Sequence, residues 1–228
     1  MKRHLLFLAA LLIVNLAASA QKKFSVYAVG FYNQENLFDT CHDEGKKDYE
    51  YLPNKGWNGM KYTNKLRNMS KALADMGTDV LPTVGCAFIG LSEVENHKVL
   101  DALVDQAPLK ARNMKYVHIE GPDRRGIDCA LLYNPSLFSV KNVKLLPYVQ
   151  ELAKDSAFFT RGFLTVRGEM AGDDVAVIVC HWPSRFSGPF YRESAARQVK
   201  VIKDSLLNVN QEMKIFVMGD MNDDPVNK

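Results

Sequence analysis

Asp220 and Asn222 stand two residues apart where a hydrophobic run, Ile215 to Met218, breaks at Gly219 and turns through Asp223, Asp224 and Pro225. Read as a buried strand ending in a turn, this spacing sets a carboxylate and a carboxamide side by side at a strand end. One could accept a proton from a water while the other orients an oxyanion. The same residues also suit an ordinary acidic turn, so other segments have to decide. Four more strand ends carry polar residues: Asn33, Glu93, Asp128 and His181. Glu93, after Ile89-Gly90-Leu91-Ser92, reads either as a helix-start carboxylate or as the one carboxylate that a magnesium ion needs, since magnesium keeps waters and takes few protein ligands. His181 precedes Trp182-Pro183-Ser184-Arg185; it is either a structural histidine or half of an imidazole and guanidinium clamp for phosphate. Asp128 interrupts an apolar strand and needs a partner, for which Arg125 and His181 both stand open.

The elements that would position these residues alternate between strand and helix. Phe24 to Phe31 reads as the first strand, ending at the polar stretch Tyr32 to Asp39, and Cys41 to Asn58 as a charged loop. Leu66, Met69, Leu73 and Met76 share a helix face, with Thr63 as N-cap and Gly77 as the stop. Val84 to Leu91 is a buried strand, His97 to Gln106 a second helix, and Tyr116 to Ile119 and Ile127 to Tyr133 two further strands flanking a basic turn. Phe163 to Arg167 and Val175 to Cys180 read as a hairpin with a longer Ala171-Gly172-Asp173-Asp174 connection. Tyr191 to Leu207 is a third helix, with Ala195, Val199, Ile202 and Leu206 inward and Arg192, Arg197, Lys200 and Lys203 outward. The rhythm is that of an α/β chain whose strand ends collect on one rim.

Met1 to Ala20 stands apart. Lys2, Arg3 and His4 precede the apolar run Leu5 to Leu16 and the small-residue site Ala18-Ser19-Ala20, the pattern of a secretory signal peptide. The expectation is an exported protein, periplasmic or secreted, with residues 21–228 as one domain and no transmembrane segment. Without Lys2 and Arg3 the net charge falls from +3 to +1, so any anion binding must come from local clusters rather than from global charge. Of Cys41, Cys86, Cys129 and Cys180, three lie in or beside apolar runs and read as buried free thiols, and no spacing among them resembles a zinc site.

Together, Tyr-Asn-x-x-Asn-Leu-Phe-Asp around Asn33, Leu-Ser-Glu-Val around Glu93, Arg-Gly-Ile-Asp-x-Ala-Leu-Leu-Tyr around Asp128, Cys180-His181-Trp182-Pro183-Ser184-Arg185 and Gly219-Asp220-Met221-Asn222-Asp223 resemble the endonuclease/exonuclease/phosphatase superfamily over nearly all of the presumed mature chain. The resemblance implies an α+β sandwich of four αββα layers with two packed mixed sheets. It implies Glu93 as principal metal ligand with Asn33 beside it, His181 hydrogen-bonding next to the scissile phosphate with Asp128 as its partner, Asp220 activating the water, Asn222 holding a phosphate oxygen, and Arg185 and Arg125 as anion contacts. The implied cofactor is magnesium, with manganese as a substitute. The implied reaction is hydrolysis of a phosphodiester by in-line attack of water, most readily in DNA or RNA. A phosphomonoesterase, a sphingomyelinase-type phosphatase and an inactive truncated homologue are the alternatives. Substrate choice falls to the loops Cys41 to Asn58 and Lys144 to Thr160.

The family pattern includes an Asp-His pair after further strands, and no Asp-His pair occurs among these 228 residues. The resemblance thus implies a domain without its final strands and Asp-His motif, exposing an apolar sheet edge. Residues 21–228 alone are therefore expected to be poorly soluble or unstable unless another chain completes them. A thermal melt checks this, and a cooperative, aggregation-free transition at an ordinary mesophile temperature contradicts it.

Overall fold

The computed structural model describes residues 25–149 and 158–226. The leader read over residues 1–20 and part of the loop read over Lys144 to Thr160 lie outside the described residues. Among the described residues, eight strands and four α-helices follow in the order β1 (Ala28–Leu37), α1 (Gly59–Asp75), β2 (Cys86–Val94), α2 (His97–Val104), α3 (Ala107–Ala111), β3 (Lys115–His118), β4 (Asp128–Tyr133), β5 (Ser139–Leu146), β6 (Phe163–Met170), β7 (Asp173–His181), α4 (Pro189–Val209) and β8 (Lys214–Asp220).

The strands make two four-stranded mixed sheets, ordered β1-β2-β4-β3 and β5-β6-β7-β8. In each, one pair is parallel, β1 with β2 and β7 with β8, and the other pairings are antiparallel. The sheets pack face to face. Ala87, Phe88 and Leu131 from the first sheet share a core with Leu164, Val177 and Val179 from the second. Helices α1 to α3 cover the outer face of the first sheet, and α4 that of the second. This is the four-layer α+β sandwich the motifs implied. β2 is buried along almost its whole length because both of its faces are covered, which is why it reads as a continuous apolar run. At the centre, Phe88 packs against Phe138 with ring centroids 5.1 Å apart and edge-on to Phe216 at 5.4 Å. Gly90 permits the close approach of β8, since a Cβ there would come within 2.7 Å of Met218 Sδ.

Several element boundaries differ from the sequence reading, each for a local reason. Helix α1 starts four residues before Thr63, because Asn58 is the N-cap and its side chain accepts from Lys61 N at 3.1 Å. The hairpin connection is two residues, not four: Met170 pairs with Asp173, and Ala171 and Gly172 both adopt positive φ, 55° and 85°. That is the geometry a tight hairpin favours, and it leaves Asp173 and Asp174 in β7. Arg192 is 7% exposed rather than outward, since it lies three residues before Ala195 on the same helix stripe; its stem is buried and its head donates to Asp223 Oδ2 at 2.9 Å. Strand β5 was hidden by its lysines. It is an edge strand with a half-exposed, charged pattern, and the loop read from Lys144 begins inside it. β1 runs on through the polar Asn33-Gln34-Glu35-Asn36, where its register against β2 is irregular.

The four cysteines are unpaired, with Cys86, Cys129 and Cys180 buried. No helix among the described residues is long and apolar enough to cross a membrane. Phe88→Ala removes a ring with no exposed surface at the join of the two sheets. It is expected to destabilise the protein by about 3–5 kcal/mol in urea unfolding; a loss below about 1 kcal/mol would contradict this packing.

Candidate active site

The two parallel pairs bring C-terminal strand ends together. Asn33 on β1 lies level with Ser92 on β2, and His181 on β7 lies level with Asp220 on β8. Face-to-face packing then sets the rim of one sheet against the rim of the other. Asn33 Nδ2 donates to Asp220 Oδ2 at 3.0 Å, a hydrogen bond that crosses between the sheets. Glu93 Oε1 lies 3.7 Å from His181 Nε2, again across the interface. Asn33, Glu93, His181, Asp220 and Asn222, five of the eight residues singled out in the sequence, therefore meet in one place.

Backbone conformation aims these groups. Glu35, Asn36, Glu93 and Asn222 all hold left-handed φ, between 50° and 62°, which costs a non-glycine residue about 1–3 kcal/mol and persists only where the surroundings enforce it. The enforcement is visible. Glu93 Oε2 accepts from Asn36 N at 2.9 Å, Asn33 Oδ1 accepts from Glu35 N at 2.7 Å, and Lys65 Nζ from α1 donates to Glu35 O at 2.9 Å. On the other rim Asp220 Oδ1 accepts from Asn222 N at 2.9 Å, and Asn222 Nδ2 donates to Trp182 O at 2.9 Å. Gly219 must be glycine at the base of this turn, because a Cβ would lie 2.1 Å from Cys180 O on the paired strand.

A cleft of about 380 Å³ opens beside these groups, lined by Glu93, His181, Asn222, Arg125, Thr160 and Arg161 among others, with Asp220 tied to it through Asn222. Arg161 is nearly buried, donating to Asp123 Oδ2 at 3.0 Å and to Trp182 O at 3.1 Å. Burial, with help from the Arg161 and Arg125 guanidiniums, pushes the His181 imidazole down to about 2, so the ring is neutral at ordinary pH. Three buried atoms around the cleft, Thr160 Oγ1, Arg161 Nε and His181 Nδ1, have no hydrogen-bond partner among the described residues. A cleft with neutral imidazole, guanidinium and unpaired polar atoms is chemically suited to an anion with several oxygens.

Two sequence expectations are corrected. Asp128 partners neither Arg125 nor His181. Its carboxylate accepts from Gly121 N at 3.0 Å and lies 3.1 Å from His118 Nε2, both side chains being about 95% buried, so it fixes the basic turn 121–126 instead. Arg185 is not among the residues that line the cleft; it pairs with Asp224 Oδ2 at 2.7 Å and donates to Asn222 O at 3.4 Å. Arg125 does line the cleft. Asn33 is against Asp220, with no hydrogen bond to Glu93. Missed altogether were Arg161 and its partner Asp123, which sit in irregular chain without periodicity, and Lys65, which is not on the apolar stripe that marked the helix.

The oxygens fit a hard divalent cation. Glu93 lines the cleft with Oε2 held by Asn36 N and Oε1 3.7 Å from His181 Nε2, which suits an ion that takes few protein ligands and keeps its waters. Among the described residues no three His, Cys, Asp or Glu side chains cluster as a ready-made metal centre.

Residues 28–228 match the profile of the Endonuclease/Exonuclease/phosphatase family. No curated protein matches the sequence significantly. Among solved structures, ANGEL2, described as a 2',3'-cyclic phosphatase, superposes with a TM-score of 0.60 at 14% identity, covering 88% of this chain and 54% of that one. TDP2 from C. elegans superposes with a TM-score of 0.52 at 15% identity over 76% of this chain and 47% of that one. D. rerio TDP2 complexed with single strand DNA product gives 0.52 at 14% identity, covering 74% and 58%. The chain thus spans about half the length of the solved chains it matches.

Glu95, behind the site, is 2% exposed and accepts from Asp39 N at 2.7 Å. Burial, with the Asp39, Asp43 and Asp48 carboxylates adding to it, pushes its carboxyl up to about 8. The folded state therefore keeps a proton that the unfolded chain releases above its ordinary range, and stability falls as pH rises from about 4.5 through 8. Glu95→Gln removes this loss. Relative to the parent, the variant is expected to gain stability in urea unfolding between about pH 5 and about pH 9; an unchanged difference would contradict a protonated Glu95.

Proposed function

Because the chain belongs to the Endonuclease/Exonuclease/phosphatase family, whose members are phosphoric ester hydrolases, we propose that it is an exported, magnesium-dependent phosphodiesterase acting as an endonuclease on nucleic acid. The observation that carries this reading is the Asn33 to Asp220 hydrogen bond between the sheets, with Glu93 and His181 facing each other across the same interface and lining the cleft beside it. The neighbours described as a 2',3'-cyclic phosphatase and as a complex with single strand DNA product support a phosphate ester carried on a nucleic acid.

The chain's own groups divide the work. Asp220 accepts Asn33 Nδ2 on one oxygen and Asn222 N on the other, so its carboxylate is fixed with lone pairs left to take a proton from a water. Held in line with the ester bond, that water attacks phosphorus and the leaving oxygen departs on the opposite side, with no covalent enzyme intermediate. His181, neutral, offers its single N–H to a phosphoryl oxygen, and Arg161 and Arg125 add positive charge from the cleft wall. Asn222 lines the same wall, fixed through Trp182 O. Magnesium, or manganese in its place, would be held by Glu93 with Asn33 nearby and would neutralise charge on the phosphoryl oxygens. Export rests on the leader pattern in residues 1–20.

With magnesium, the purified protein is expected to cleave plasmid DNA and bis(p-nitrophenyl) phosphate, and chelator should abolish both. Glu93→Ala and Asp220→Ala should each lower turnover on the order of a hundredfold or more. Near-parental turnover in both variants would overturn the assignment.

A further inference from the structure

Phe186 is wholly exposed, and it is presented rather than merely left over. It sits in the 3₁₀ turn Arg185–Ser187, directly after His181-Trp182-Pro183-Ser184. That turn is tied down on both sides: Ser187 N donates to Ser184 O at 3.0 Å, Gly188 N to Arg185 O at 3.1 Å, and Arg185 pairs with Asp224. Ser184 and Ser187, flanking the ring, line the catalytic cleft. A second exposed ring borders the same cleft. Of the consecutive Phe158 and Phe159, Phe158 packs inward on Tyr191 with centroids 4.6 Å apart, whereas Phe159 is 52% exposed and carries the Arg124 guanidinium 5.5 Å over its face.

An exposed phenyl ring adds nothing to a core, and one alone is unremarkable on a protein surface. Here Phe159 lines the cleft with Arg124 over its ring and Arg125 in the same lining, and the exposed Phe186 stands between the cleft-lining Ser184 and Ser187, so apolar rings and guanidiniums that can follow a phosphate backbone border one cleft. Proteins that hold single strands combine these elements, because every base has a π-face to stack while the charges hold the phosphates. A membrane surface also accepts exposed phenylalanine, but it calls for a continuous apolar face, whereas the cleft that Phe159, Ser184 and Ser187 line is also lined by Arg125, Arg161 and His181.

We infer that Phe186 and Phe159 form a stacking rim that holds an unpaired nucleobase beside the scissile phosphate, which makes single-stranded nucleic acid the substrate form. The inference rests on the nucleic-acid reading above and narrows it.

The test is fluorescence anisotropy in chelator, where no turnover occurs, with the full chain. The probes are a fluorescein-labelled oligothymidylate, an abasic deoxyribose-phosphate oligomer of equal length, and vesicles of phosphatidylcholine and sphingomyelin. Phe186→Ala and Phe159→Ala are each expected to weaken oligothymidylate binding on the order of tenfold, the loss of one stacked base. Phe186→Trp should restore it, and binding of the abasic oligomer should not change. Melting of Phe186→Ala should match the parent, since the ring is exposed. Unchanged oligothymidylate binding, an equal loss for the abasic oligomer, or a loss confined to vesicle binding would each overturn the rim. Failure of the hydrolase reading is seen separately, in whether the parent cleaves bis(p-nitrophenyl) phosphate with magnesium.

Discussion

The hydrogen bond from Asn33 to Asp220 is the contact on which the arrangement of the site depends. It joins residues 187 apart in sequence and in different sheets, and it fixes the Asp220 carboxylate, the group proposed to take a proton from water. For the bond to exist, the two sheets must pack in one register, and that register rests on residues far from the cleft. Phe88 wedges between Phe138 and Phe216, and Gly90 makes room for Met218 so that β8 can come close. Packing is thus part of the chemistry: a shift of about 1 Å between the sheets would part the donor and acceptor.

A second constraint is topological. Each sheet contains one parallel pair, and in each the parallel partners end at the cleft. Parallel strands whose ends coincide leave their following residues free to turn outward, which is where Glu93 and Asn222 take left-handed backbone conformations. The strain is held by hydrogen bonds among the site's own residues, Asn36 to Glu93 and Asn222 to Asp220. The same bonds that orient the side chains keep the backbone in its unfavourable state. Loop 121–126 is anchored independently through the buried Asp128 and His118 pair, and through Asp123 it holds Arg161 against the wall.

Much of this was legible in the sequence. Apolar runs and their polar ends located β2, β4, β7 and β8, and placed Glu93, His181, Asp220 and Asn222 on one rim, because strand ends and turn residues leave local signals. What was not legible was who touches whom. Asp128 was expected to serve His181 and instead holds Gly121 and His118, since nothing local tells a buried carboxylate which loop will fold over it. Arg192 was read as solvated because charge was weighed above position, although its spacing from Ala195 already put it on the buried stripe. Arg161 had no periodic context at all, and its role emerges only from the buried Asp123 it meets.

The central claim is that the bond across the sheets positions Asp220 for its work, and a double-mutant cycle reads it directly. Turnover of bis(p-nitrophenyl) phosphate with magnesium would be measured for the parent, Asn33→Ala, Asp220→Ala and the double variant. If Asn33 acts through Asp220, the double variant should lose little more than Asp220→Ala alone. Losses that multiply as independent effects would contradict it.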